Sequence, residues 1–165
     1  FDMASIGRYA WIPFLVAGFG NLLGGLLSAF LLRRGCSLTL ARKGSVTIFA
    51  GMMTAAIPAV MTADVRVSIA LVSLAMVGYT GSTANMLAFP ADAFPKSAVA
   101  SVYGLASMGS GFGGMLFTLI TGWLVDHYSY RPAFFLFGVT PLICAAVLWL
   151  WLGKISPRSP RPSSA

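Results

Sequence analysis

The sequence predicts an all-α, polytopic membrane protein with five transmembrane helices. Three observations predict it. Hydrophobic residues make up 58% of the 165 residues and charged residues only 9%, against roughly 25% charged in average soluble domains. There is no glutamate, and the acids are four aspartates, Asp2, Asp64, Asp92 and Asp126. The charges divide the chain into five long charge-free stretches, each able to cross a hydrocarbon core of about 30 Å. So few charges cannot cover a water-facing surface. The composition therefore excludes a soluble globular enzyme, a disordered chain and a disulfide-stapled secreted domain.

The spans cover about residues 9–32, 44–63, 67–89, 98–125 and 132–153. Backbone polar groups in hydrocarbon must satisfy each other, so each span is a helix. The first carries Gly18, Gly20, Gly24, Gly25 and Ser28, with Gly20 and Gly24 four residues apart. The third holds the polar stretch from Tyr79 to Asn85. The fourth is the richest in small residues, and Gly109, Gly113 and Gly114 keep the small-x-x-x-small spacing with Ser110. Lipid tails give helices no hydrophobic reason to associate, so these glycines read either as close-packing positions or as hinges. The fifth ends near Trp149 and Trp151. These two, with Trp11, Trp123, Tyr128 and Tyr130, fall at span ends as an aromatic belt.

Short polar connections make neighbouring helices antiparallel. One side then holds Arg33, Arg34, Arg42, Lys43, Lys96, Lys154, Arg158 and Arg161, and the other holds Arg8, Arg66 and Arg131. Eight against three places the first side in the cytoplasm and the N-terminus of the chain outside. The net charge of +7 lies in these clusters rather than on one face, which excludes a nucleic-acid partner. The expected partners are the lipid bilayer and further helices of the same protein. Residue 1 is Phe, and an outward-starting first helix is an awkward topology, so the chain is expected to be the C-terminal part of a longer polypeptide. Residues 1–153 then form an incomplete C-terminal transmembrane half, and 154–165 a disordered basic cytoplasmic tail.

No ionisable side chain lies mid-span, and intramembrane acids or histidines are the usual mark of a proton relay. Lone His127 has no second His or Cys beside it, which leaves no metal site, and no catalytic constellation appears. The chain is not expected to be an enzyme and needs no cofactor. Mid-span hydroxyl and amide groups remain. Tyr79, Thr80, Ser82, Asn85 and Ser107 either bond between helices or line a hydrated substrate path. The basic connection Arg33 to Lys43 sets topology and meets headgroups, or forms part of a gate.

Three ordered motifs resemble the major facilitator superfamily, and within it the anion:cation symporter branch with its sugar-acid (hexuronate-type) transporters. The first is Gly24-Gly25, Ser28-Ala29 and Arg33-Arg34-Gly35, followed by Ala41-Arg42-Lys43. The second is Ser82 to Asn85, then Asp92 to Lys96 and Val102 to Gly104. The third is Gly113-Gly114 to Phe117, Gly122 to Asp126, and Ser129 to Phe134. The superfamily often carries an Asp where Ala29 stands, and hexuronate-type members tend to have His, Gln and Trp where Tyr79, Thr80 and Ser82 stand.

The resemblance implies helices eight to twelve of a twelve-helix fold in a bacterial inner membrane. It implies a secondary active transporter of a small organic anion, a sugar acid such as hexuronate or galactonate. Transport would be by proton symport with alternating access, the proton being the coupling ion. On that reading Asn85, Tyr79, Thr80, Ser82 and Ser107 are substrate-cavity candidates. Arg33, Arg34, Arg42, Lys43 and Asp92 are cytoplasmic gate candidates, and Gly20, Gly24, Gly109, Gly113 and Gly114 are packing or hinge positions. The second reading is a non-transporting membrane remnant or a small accessory subunit.

Overall fold

The structure, a computed structural model, describes Tyr9 and residues 11–153. The tail from residue 154 and the basic residue Arg8 lie outside the described residues. Among the described residues six helices run in order: α1 (Trp11–Arg33), α2 (Leu38–Met53), α3 (Ala56–Met61), α4 (Val65–Ala93), α5 (Lys96–His127) and α6 (Tyr130–Trp151). Helices α2 and α3 together make one span, so five helical segments are long and apolar enough to cross a membrane.

Local chemistry sets the ends. Helix α1 stops where Gly35 takes φ 83°. The Cys36 N–H bonds to the Leu31 carbonyl at 3.1 Å and the Gly35 N–H to Leu32 at 3.0 Å, a Schellman ending that needs the left-handed region glycine allows. Ser37 begins α2 at once, its hydroxyl accepting from the Leu40 N–H. Asp64 caps α4 through the Arg66 N–H at 2.8 Å, and Ser129 caps α6 through the Arg131 N–H. Each such cap is worth about 1 kcal/mol.

The second helix therefore differs from its sequence expectation. It starts at Leu38, not 44, and Arg42 and Lys43 lie in its second turn rather than in a connection. Both cations are accepted there because each finds partners on neighbouring helices. The same span is broken at Thr54–Ala55, where the Thr54 hydroxyl bonds back to the Gly51 carbonyl at 2.7 Å. Helix α4 likewise runs on through Pro90 to Ala93.

Helix α4 is the centre of the bundle, packed on α1 and on α2, while α6 closes on α2 and α3. Glycines make the α1–α4 seam. A Cβ at Gly20 would stand 2.6 Å from the Val77 carbonyl oxygen, and one at Gly24 would stand 2.5 Å from that of Gly81. On its other side α4 presents Gly78 to the Phe49 carbonyl and Gly81 to the Phe49 ring. Close backbone approach of this kind is what holds helices together without a hydrophobic drive.

Helix α5 behaves differently. None of its 32 residues is buried. A Cβ at Gly109, Gly113 or Gly114 would meet nothing within 4 Å. The packing expected of these three glycines is thus not made within the described residues, because no neighbouring backbone comes up to that face.

Candidate functional site

Two features emerge when the polar residues are followed to their partners. The first is a clamp at the end of the bundle that carries Arg33, Arg34, Arg42, Lys43 and Lys96. The Arg42 side chain crosses from α2 to α4 and α1. Its Nε donates to Asp92 Oδ2 at 2.9 Å, and its guanidinium also donates to Ser28 Oγ at 3.1 Å and Asn85 Oδ1 at 3.3 Å. The ion pair is mostly shielded, with side-chain exposures of 17% and 23%. Charge-assisted hydrogen bonds of this kind contribute about 1.5–3 kcal/mol.

Asn85 belongs to this clamp and not to a cavity. It is fully buried. Its amide donates to the carbonyls of Gly24 and Gly81, each at 3.0 Å, while its oxygen accepts from Arg42. An amide beside a glycine seam meets bare backbone on both sides, and that consumes its hydrogen-bonding capacity. Thr80 makes the interhelical bond that is one of its two sequence readings. Its hydroxyl donates to the Ala17 carbonyl across the seam at 2.7 Å.

The basic candidates also separate. Arg33 and Arg34 are exposed, and the Arg34 guanidinium rests 4.8 Å from the Phe30 ring centroid. Lys43 is buried and turned away from the clamp. Its amine donates to the Trp149 and Leu152 carbonyls at the end of α6 and lies 5.2 Å from the Trp149 ring centroid. The last carbonyls of a helix lack intrahelical donors and carry the negative end of its dipole, so a cation is favoured there.

The second feature is a cavity of about 880 Å³ walled by α2, α4, α5 and α6. Tyr79, Ser82 and Ser107 line it, as three of the five cavity candidates. Thr83, Tyr103, Ser110, Thr140 and Cys144 line it as well, and none of them is among the cavity candidates of the sequence. Two signals could have found some of them. Thr83 follows Tyr79 at one helical turn, and Pro141 marks the stretch of α6 that borders the cavity.

Among the described residues no charged side chain lines this space. The Thr83 hydroxyl donates to the Tyr79 carbonyl at 2.9 Å and that of Thr140 to Leu136 at 2.7 Å, which leaves their oxygen lone pairs to accept. Ser82 Oγ is shielded and has no hydrogen-bond partner among the described residues. Tyr79 is the middle residue of α4, and Ser107 and Thr140 are likewise near the middle of their helices. A ligand here would meet hydroxyls, the methionines Met53 and Met86, and the Tyr103 ring, over a depth running from the middle of α4 at Tyr79 to near its end at Pro90.

Comparison with known proteins agrees with this architecture. The model of the Major Facilitator Superfamily matches residues 2–165. The chain is 29% identical over 150 residues to the hexuronate transporter of Escherichia coli (strain K12), covering 90% of this chain and 35% of that protein. It is 28% identical over 149 residues to the D-galactonate transporter of Escherichia coli O6:H1, covering 90% and 34%. It is 30% identical over 159 residues to the probable galactarate/D-glucarate transporter of Escherichia coli (strain K12), covering 93% and 35%. The chain thus spans about a third of the length of these relatives.

Proposed function

We propose, for a chain that belongs to the Major Facilitator Superfamily, that it supplies one wall of a sugar-acid transporter working by proton symport and alternating access. The protein is a multi-pass membrane transporter rather than an enzyme. The finer reading, a hexuronate- or galactonate-like substrate, draws on the names of the relatives. One observation supports it: among mostly apolar side chains the cavity places the hydroxyl residues Tyr79, Thr83, Ser107, Ser110 and Thr140, and no charged side chain among the described residues lines it. Such a wall recognises the polyol part of a sugar acid by hydrogen bonds. The carboxylate and the coupling proton are then left to residues elsewhere in the full polypeptide.

In this reading the Arg42–Asp92 clamp is a gate on the cytoplasmic side. Among the described residues five Lys or Arg lie at the clamp end of the bundle, against Arg66 and Arg131 at the other, and the positive-inside rule orients the chain accordingly. Closing the clamp ties α1, α2 and α4 together at that end. Opening it exchanges one ion pair and two hydrogen bonds for water, a cost that substrate and proton binding can offset when they favour one facing state.

The test is uptake of labelled hexuronate, galactonate and glucarate by the native polypeptide in membrane vesicles, with and without an imposed proton gradient. Saturable uptake of one sugar acid that collapses with a protonophore is expected. Uptake of none of the three, with the protein shown to be in the membrane, would overturn the reading.

A further inference from the structure

Arg42 and Lys43 are consecutive residues on one helix turn, so their side chains leave α2 about 100° apart. Arg42 reaches α1 and α4, whereas Lys43 reaches α6. Lys43 is 6% exposed, and its amine meets, among the described residues, the Trp149 and Leu152 carbonyls and the Trp149 ring. The Trp149 indole is itself fixed, because its N–H donates to Thr47 Oγ1 at 2.9 Å. Thr47 lies one turn further along α2, and its hydroxyl donates to the Lys43 carbonyl at 2.8 Å. The end of α6 is therefore fastened to the first turns of α2 at two points. Two cations at the start of α2 oppose that helix's own dipole, so neither belongs there without an outside partner.

We propose that Lys43 is a positioning residue for the Arg42–Asp92 contact: it pins the start of α2 to the end of α6, which aims Arg42 at Asp92. The clamp and the last helix then move as one body. The consequence for gating rests on the transport reading above, but the positioning itself does not. Releasing Lys43 lets the first turns of α2 swing, and the clamp loses its aim although neither of its residues has changed.

Ser45 supplies a local reporter. It is fully buried two residues beyond Lys43, and its hydroxyl has no partner among the described residues, so Ser45→Cys installs a thiol without losing a hydrogen bond to any of them. The experiment uses the native polypeptide in membrane vesicles with its other cysteines replaced by serine. It reads the rate at which N-ethylmaleimide alkylates the Ser45→Cys thiol. Lys43→Met is expected to raise that rate about tenfold, and Asp92→Asn to do the same. The two together should be no faster than the faster single variant, because both release the same contact. Lys43→Arg should stay within about twofold of the parent, since it keeps the charge and the donors.

A Lys43→Met rate equal to the parent's overturns the proposal. So does a double variant whose rate is the product of the two singles, the signature of a lysine that stabilises the bundle independently of the clamp. If Lys43→Met does not accumulate in membranes, Thr47→Ala frees the indole at an exposed position and serves in the same comparison, with about a threefold rise expected. Uptake measured on the same vesicles bears only on the transport reading. Its failure leaves the thiol result intact.

Discussion

The α1–α4 seam and helix α5 use the same sequence device with opposite results. Gly20 and Gly24 sit four residues apart in α1 and bring its backbone against Val77 and Gly81. Gly109 and Gly113 sit four apart in α5 and touch nothing within 4 Å. Small residues at that spacing state only that a helix could be approached closely. The partner decides whether it is. Helix α4 supplies one because it is small on two sides, with Gly78 and Gly81 toward Phe49 and Gly81 toward Gly24. Helix α5 has no such partner among the described residues: it borders the cavity through Tyr103, Ser107 and Ser110 rather than through Gly109 or Gly113, and it meets α6 in pairs such as Phe117 on Phe137, rings 4.8 Å apart.

Five changes would break or sharpen this contrast. The largest effect is expected from Gly24→Leu, which forces side-chain atoms into the Gly81 backbone. The loss should be at least about 3 kcal/mol, seen as failure of the polypeptide to accumulate in membranes; normal accumulation would mean the seam is not close-packed. Next is Asn85→Ala, which removes two cross-seam or local donors and one acceptor of Arg42. It should cost about 1–3 kcal/mol by thermal unfolding in detergent, and an unshifted midpoint would count against the clamp.

Ser82→Ala should leave stability within about 0.5 kcal/mol, because its hydroxyl has no partner. The transport test falls on Ser107→Ala, at an exposed residue of the cavity wall, where KM for the sugar acid should rise about three- to tenfold. An unchanged KM would remove Ser107 from the substrate path. The smallest effect is expected from Gly113→Ala, whose added methyl meets no atom of this chain; the unfolding midpoint should reflect a change within about 0.5 kcal/mol. A loss of 2 kcal/mol or more would reveal a helix elsewhere in the polypeptide covering that face.

Charge-free length and the need to satisfy backbone in hydrocarbon made the helical class legible, since both depend on local composition alone. Three kinds of information were not legible. The start of α2 was misplaced because charged residues were read as boundaries. Arg42 and Lys43 are inside the helix because Asp92 and the end of α6 neutralise them, and those partners are about 50 and 106 residues away. The role of Asn85 was ambiguous because an amide serves a seam or a ligand equally well, and only the neighbouring glycine carbonyls decide. The cavity was legible through Tyr79, Ser82 and Ser107, whose helical spacing can be counted. Thr140 and Tyr103 could not be added, since their place depends on how α5 and α6 stand around α4.

The interruption at Thr54–Ala55 has a mechanical consequence. A continuous helix is a single lever, so a tilt imposed at one end appears at the other. Here the span is two shorter rods with a joint between Met53 and Ala56. The α2 rod carries Arg42 and Lys43. The α3 rod is seated separately, with Ile57 against the Gly138 backbone. Bending at such a joint absorbs rotation through a few backbone angles. One membrane face of this span can therefore reorient while the other keeps its footing, which makes the two faces separable in time as well as in space.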